Sequence, residues 1–299
     1  MGPLVSLIVL ILIAAAAGWL LLRPKPHPVL HYVFRTLAPS AEPAAPVATP
    51  AASPLPTETP STAPAASPTS TPPANLHGPQ LALIVDDCGQ WIATERGFVA
   101  LGIPLTLSVL PDVPYTSVIA AEASDAGKGV MLHLPMETLS GLNPGPGKVT
   151  TEMSDAQIVA QVQSDLADVP LARGVNNHEG SKASADGRVM RAVIGVLAQR
   201  NLFFIDSRTN AASVGETTAR EMGVPTAGRD VFLDNRADVA YTEAQLSQAA
   251  AIAQRTGSAI AIGHPRPTTL AAVRAMVPRL QALGIRFVLA QDLVGKNEP

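Results

Sequence analysis

Leu81-Ala-Leu-Ile-Val-Asp-Asp-Cys-Gly89 is the stretch whose reading decides the fold. Apolar residues run without interruption into two carboxylates and a glycine. A short run that is apolar at every position suits a strand covered on both faces, as in the parallel sheet or barrel of an α/β protein. Such folds place ligands at the carboxyl ends of their strands, where Asp86 and Asp87 fall. Adjacent acids repel unless a cation, a shared proton or a donor compensates them. The plainer alternative is that one aspartate caps the next helix and the other faces water.

The pattern repeats downstream. Further strands are expected at Leu105–Leu110, Gly129–Leu134, Gly174–Asn177, Leu202–Ile205, Ala259–Ile262 and Phe287–Ala290, with a short one near Val231–Leu233. Helices are expected at Ile92–Leu101, Ser117–Ala126, Asp155–Asp168, Ser184–Gln199, Thr242–Arg255 and Leu270–Leu283. Ser154-Asp-Ala-Gln157 reads as a capping box, Thr242 and Glu243 read as a first turn, and Gly102, Gly257 and Gly284 stand where helices stop. Strand–helix alternation at this spacing means a parallel sheet, open or closed into a barrel. Residues 80–299 are enough for one domain with a substantial core.

The strand ends carry the chemistry. The first delivers Asp86 and Asp87, the third His133 and then Glu137, and the fourth Asn176, Asn177 and His178. The fifth delivers Asp206 and Arg208, the short segment Asp234 and Asn235, and the strand at Ala259–Ile262 delivers His264. The chain has six histidines, and the three beyond residue 80 all sit at or just after an apolar strand. Each alone reads more readily as a hydrogen-bonded loop residue than as a metal ligand. Together, brought to one rim, a carboxylate and imidazoles around an open position are what a zinc-like ion requires. Cys88 is the only cysteine, which excludes an internal disulfide. A net charge of −3 without basic clusters argues against a nucleic-acid partner.

The outer part of the chain differs sharply. Pro3–Leu22 is apolar almost throughout, and about 20 such residues suffice for a transmembrane helix. Residues 1–25 therefore read as a membrane anchor, with a cleaved signal peptide as the rival. Residues 26–79 are dominated from Ala38 by Pro, Ala, Ser and Thr, the composition of a disordered, partly extended stalk. Arg23 and Lys25 pull the other way under the positive-inside rule. The stalk outweighs them and places the domain in the periplasm of a bacterial envelope, tethered to the inner membrane or exported.

Six blocks then occur in order: Ile84-Val-Asp-Asp-Cys-Gly89, His133-Leu-Pro-Met-Glu137, Gly174-Val-Asn-Asn-His-Glu-Gly-Ser181, Asp206-Ser-Arg-Thr209, Phe232-Leu-Asp-Asn235 and Ala261-Ile-Gly-His-Pro265. Together they resemble the divergent polysaccharide deacetylase family, a branch of the carbohydrate esterase superfamily. The resemblance spans Leu81 to Leu293 and implies a distorted (β/α) barrel of about seven parallel strands. It implies Asp86 as base and Asp87 as a ligand of a divalent metal, most simply zinc. His133 opens a block that usually reads His-x-x-x-His, but here the second histidine is Glu137. The third ligand is then His178, with Glu137 as the alternative. His264 matches the histidine that protonates the leaving amine, while Asn177, Asp206, Arg208 and Asp234 would orient these groups or contact substrate. The implied reaction is attack of a metal-activated water on the acetyl group of an N-acetylated glycan. Two other readings stand beside it: a non-catalytic carbohydrate-binding envelope protein, and a hydrolase of another amide or ester. Trp91 and Tyr115 are the aromatics expected near the rim.

Overall fold

The computed structural model describes residues 78–295. The expected anchor and nearly all of the stalk lie outside the described residues. Among the described residues no helix is long and apolar enough to cross a membrane.

Nine strands, all parallel, form one curled sheet: β1 (Gln80–Cys88), β2 (Thr106–Val109), β3 (Gly129–Met136), β4 (Gly174–Glu179), β5 (Phe203–Asp206), β6 (Thr226–Gly228), β7 (Val231–Phe232), β8 (Ser258–Gly263) and β9 (Arg286–Val288). Their order is β6-β5-β4-β3-β2-β1-β8-β7. β1 pairs along one edge with β8; its other edge meets β9 at Gln80–Ala82 and β2 from Ile84 onward. A strand wedged into the lower half of the ring in this way makes the barrel irregular. β6 and β7 flank a seam, close in sequence yet joined by no ladder. The expected distorted barrel is therefore present, with more strands than the sequence suggested.

Seven helices pack outside: α1 (Ile92–Val99), α2 (Thr116–Asp125), α3 (Asp155–Asp168), α4 (Gly187–Arg200), α5 (Gly215–Glu221), α6 (Val239–Thr256) and α7 (Pro267–Ala282). Side chains alternate across a strand. Leu81, Leu83 and Val85 of β1 join the large core beneath the helices, whereas Ala82 and Ile84 point into the barrel. There they meet Met131, Phe203, Ile205, Ile260, Ile262 and Val288, which plug its lower half.

Ser154 and Gln157 form the expected capping box on α3. Gly257 ends α6 at φ 93°. Three helix starts differ clearly from expectation, and that of α7 moves from Leu270 to Pro267, a residue suited to the first turn of a helix. α6 begins three residues before Thr242, because Asp238 accepts the Tyr241 amide at 2.7 Å and provides the cap. α4 begins at Gly187 because Asp186 accepts the Arg188 and Val189 amides. β6 and α5 were not expected; each is too short to show a period.

Asp165 of α3 is buried, and Gly147 passes so close that a Cβ there would lie 2.5 Å from its Oδ1. That oxygen accepts from Gln161, but Oδ2 has no partner. Burial, with Asp168 and Asp112 adding repulsion, pushes the carboxyl up to about 7. A raised acid pKa stabilises the fold below the unfolded value and loses that contribution as pH rises through the folded one. Asp165→Asn is therefore expected to be more stable than the parent at pH 8, with the difference shrinking toward pH 4. Thermal unfolding of both proteins across that range checks it.

Candidate active site

β1 ends in an irregular turn. Ladder register with β2 shifts between Val85 and Cys88, and Asp87 adopts a left-handed conformation at φ 56°. Asp86 continues the inward series of Ala82 and Ile84. The turn at Asp87 breaks alternation, so that two consecutive carboxylates face one space. Aspartate tolerates this backbone better than most residues.

A buried glutamate secures the turn. Glu95 of α1 reaches back, and its Oε1 accepts the amides of Gly89, Gln90 and Trp91 at 3.0, 3.0 and 2.6 Å. Nothing in the sequence spacing singled it out. Glu95→Ala would strand these donors at a cost of about 1–3 kcal/mol for one that water cannot reach. A lower unfolding temperature together with weaker cation binding is the expected result, read by calorimetry.

His133 and His178 point inward from the adjacent strands β3 and β4. Asp87 Oδ1 lies 3.2 Å from His133 Nε2 and 2.9 Å from His178 Nδ1, and the two nitrogens are 3.1 Å apart. These three ligand atoms all fall within 4.8 Å of one another. Asp86 Oδ2 is 3.6 Å from His133 Nε2, and His264 Nε2 is 3.7 Å from Asp87 Oδ2. The three imidazoles of the domain therefore converge at the mouth of the barrel.

Asn176 fixes the chemistry of His133. Its Nδ2 donates to Asp86 Oδ1 at 2.8 Å and to Ser207 Oγ at 3.2 Å. Its Oδ1 must then accept, from Ser108 Oγ and from His133 Nδ1 at 2.8 Å. With the proton on Nδ1, the lone pair of neutral His133 lies on Nε2, facing Asp87 and His178. Asp87 Oδ1 is fully buried without a hydrogen bond of good geometry. A carboxylate oxygen and two imidazole nitrogens aimed at one point, one of them orphaned, suit a divalent cation with an open position.

The field in this pocket favours positive charge. Burial pushes the Asp87 carboxyl up, but His178 and His133 outweigh it and hold it well below the usual range. Burial drives Asp86 up despite the two nearby imidazoles, which makes it a better proton acceptor. Burial opposes the charged form of His264, yet its bond to Asp234 and the charges of Asp87 and Asp86 raise it to about 9. Asp234 holds that ring firmly. Its Oδ1 accepts from His264 Nδ1 at 2.9 Å, and its Oδ2 accepts the His264 amide and Thr269 Oγ1.

Four expected site residues lie elsewhere. Glu137, the alternative third ligand, stands apart from the cluster: its carboxylate pairs with Lys182 Nζ at 2.8 Å and accepts from Thr151. Asn177 has the wrong parity and faces away from the barrel interior. It accepts the Ser207 amide and donates to the Glu179 carbonyl, so the neighbour Asn176 supports the site instead. The same parity turns Asp206 outward, where it accepts Ser213 Oγ and the amides of Arg208 and Glu216. Arg208 crosses to Glu216 at 2.7 Å. Asp206 and Arg208 thus shape the loop after β5 without touching the cluster. Trp91 and Tyr115 are exposed at the residues that precede α1 and α2, on the rim as expected.

Fold and site together define an α/β barrel with an Asp-His-His cluster that could hold a cation at the carboxyl ends of its strands. Residues 83–294 match the model of the divergent polysaccharide deacetylases, and the chain belongs to that family. Two curated relatives are each 36% identical: an uncharacterized protein of Haemophilus influenzae over 66% of this chain and 70% of its own length, and the uncharacterized protein YibQ of Escherichia coli over 74% and 68%. The crystal structure of uncharacterized protein ATU2773 from Agrobacterium tumefaciens superposes with a TM-score of 0.70 at 23% identity, covering 75% of this chain and 92% of that one. It supports the fold.

Proposed function

We propose that the chain is a metal-dependent hydrolase that removes N-acetyl groups from an envelope polysaccharide or oligosaccharide. The observation that carries the reading is the convergence of Asp87, His133 and His178 within 4.8 Å, with Asp86 beside them and His264 opposite. Asp87, His133 and His178 would hold the cation, zinc fitting their donor set best. Bound there, it supplies Lewis acidity to the acetyl carbonyl and acidifies a water. Asp86, raised in basicity and oriented by Asn176, accepts the proton of the attacking water. His264 carries a proton on Nε2 while Asp234 holds Nδ1–H, so it can hand that proton to the departing amine. Trp91 and Tyr115 offer exposed faces for sugar rings. The apolar segment before Leu22 and the stalk after it support a domain working in the periplasm on a membrane tether.

The test is direct. The purified full-length protein should hold about one divalent cation per chain and release acetate from N-acetylglucosamine oligomers, with both lost on chelation and restored by zinc. A protein that binds these sugars without releasing acetate, at any metal loading, would overturn the reading in favour of a carbohydrate-binding protein on the same fold.

A further inference from the structure

One sector of the barrel mouth is rich in arginine. Arg208 follows β5, Arg229 follows β6, Arg236 follows β7 and Arg266 follows β8. Arg208 is paired with Glu216. Arg229, Arg236 and Arg266 form no ion pair among the described residues. Nearby acids are committed to other donors: Asp230 to the Ile260 amide, Asp238 to the Tyr241 amide, and Asp234 to His264 and Thr269. The chain as a whole is acidic, at −3, so this is not part of a generally basic surface.

Two of these guanidinium groups are held in place by backbone carbonyls. Arg229 donates through Nε to the Ser207 carbonyl at 2.7 Å and through Nη2 to the Arg208 carbonyl at 3.1 Å. Its guanidinium carbon lies 5.0 Å from the centre of the Phe232 ring, and that ring lies 5.2 Å from His264. Arg266, two residues beyond His264, donates through Nη1 to the Asp234 carbonyl. Five donors belong to each guanidinium. Among the described residues, these bonds leave Nη1 of Arg229 and both Nε and Nη2 of Arg266 free to donate. Because backbone carbonyls already order both forks, a ligand anion would gain charge-assisted bonds at a reduced cost in side-chain entropy.

We infer that the glycan handled here is acidic: it carries a carboxylate close to the scissile amide, and Arg229 and Arg266 bind that carboxylate. The inference rests on the deacetylase reading and narrows its substrate class. The carboxylate could belong to a uronic acid or to a lactyl ether on the sugar. Both sources present the same planar anion.

Matched pairs of N-acetylated disaccharides test it, one pair with a uronate and one with an O-lactyl group, each as free acid and as methyl ester. Affinity is measured by calorimetry on the full-length Asp86→Asn protein, and kcat/KM for acetate release on the parent. One or both acids should be favoured over their esters by about tenfold or more, the scale of a charge-assisted pair. Arg266→Gln should bring that ratio close to one, and Arg229→Lys should lower it. The favoured pair identifies the source of the carboxylate. Acid and ester equal in both pairs, with acetate still released, overturns the inference and leaves the deacetylase reading standing. A preference for the acids with no acetate released supports the arginine clamp and overturns the deacetylase reading. Where acetate is released, the acid–ester ratio in kcat/KM of the parent stands without any variant; where none is released, affinity is measured on the parent itself.

Discussion

Asp86→Asn should lower acetate release by about 10²–10⁴-fold, the range expected when a positioned base is removed, while leaving cation content intact. Asparagine has the shape of aspartate and can keep the contact with Asn176, though with its amide flipped or shared. Asp86 Oδ2 is 3.6 Å from the nearest ligand nitrogen, and Asp87 Oδ1 takes the closer contacts with both imidazoles. The two neighbours should therefore separate cleanly. Asp87→Asn should empty the site, and Asp86→Asn should leave it filled but slow. Metal analysis beside an acetate assay reads both. A filled site with undiminished turnover in Asp86→Asn would remove Asp86 from the reaction.

The second large effect concerns the missing histidine of the His133 block. His178→Ala should weaken cation binding by more than the roughly 100-fold that loss of an outer hydrogen-bond partner costs. Glu137→Ala should not change it. Glu137 is engaged with Lys182 and Thr151, contacts that hold its carboxyl at about 2. A depressed acid contributes stability above its unfolded pKa and loses it as pH falls through the folded value. Glu137→Ala should therefore cost at most about 1 kcal/mol at neutral pH, as befits a partly exposed pair, and less in strong acid. Cation titrations of the two variants decide between them. Equal weakening in both would return Glu137 to the cradle.

Much of this could be read before any coordinates, for a simple reason. Buried parallel strands write themselves as apolar runs, and their ends are marked by abrupt polarity, which is how Asp86, Asp87, His133, His178 and His264 stand out. Residues within strands are harder. Asn176 and Asn177 are adjacent and chemically identical, and only the pairing of Asn176 with His133 across β3 and β4 decides which faces the barrel. Counting back by two from His178 would have chosen correctly. Ser108 meets Asn176 from far away in sequence, and Glu95 reaches back a turn to main-chain amides that any residues would present, so no local pattern of side chains announces either. Asp206 ended a strand as a site residue would, but its parity sent it to the helix side. α5 reads Gly-Glu-Thr-Thr-Ala-Arg-Glu, with no apolar face to betray it.

The barrel's interior is split into storeys, with hydrocarbon from Ala82 to Ile262 below and titratable groups above. Folding draws chiefly on the lower storey and on the outer layer beneath the helices. Evolution can thus remodel the upper one, or silence it, without unmaking the scaffold. A descendant that lost one imidazole would keep its shape and whatever its rim still grips.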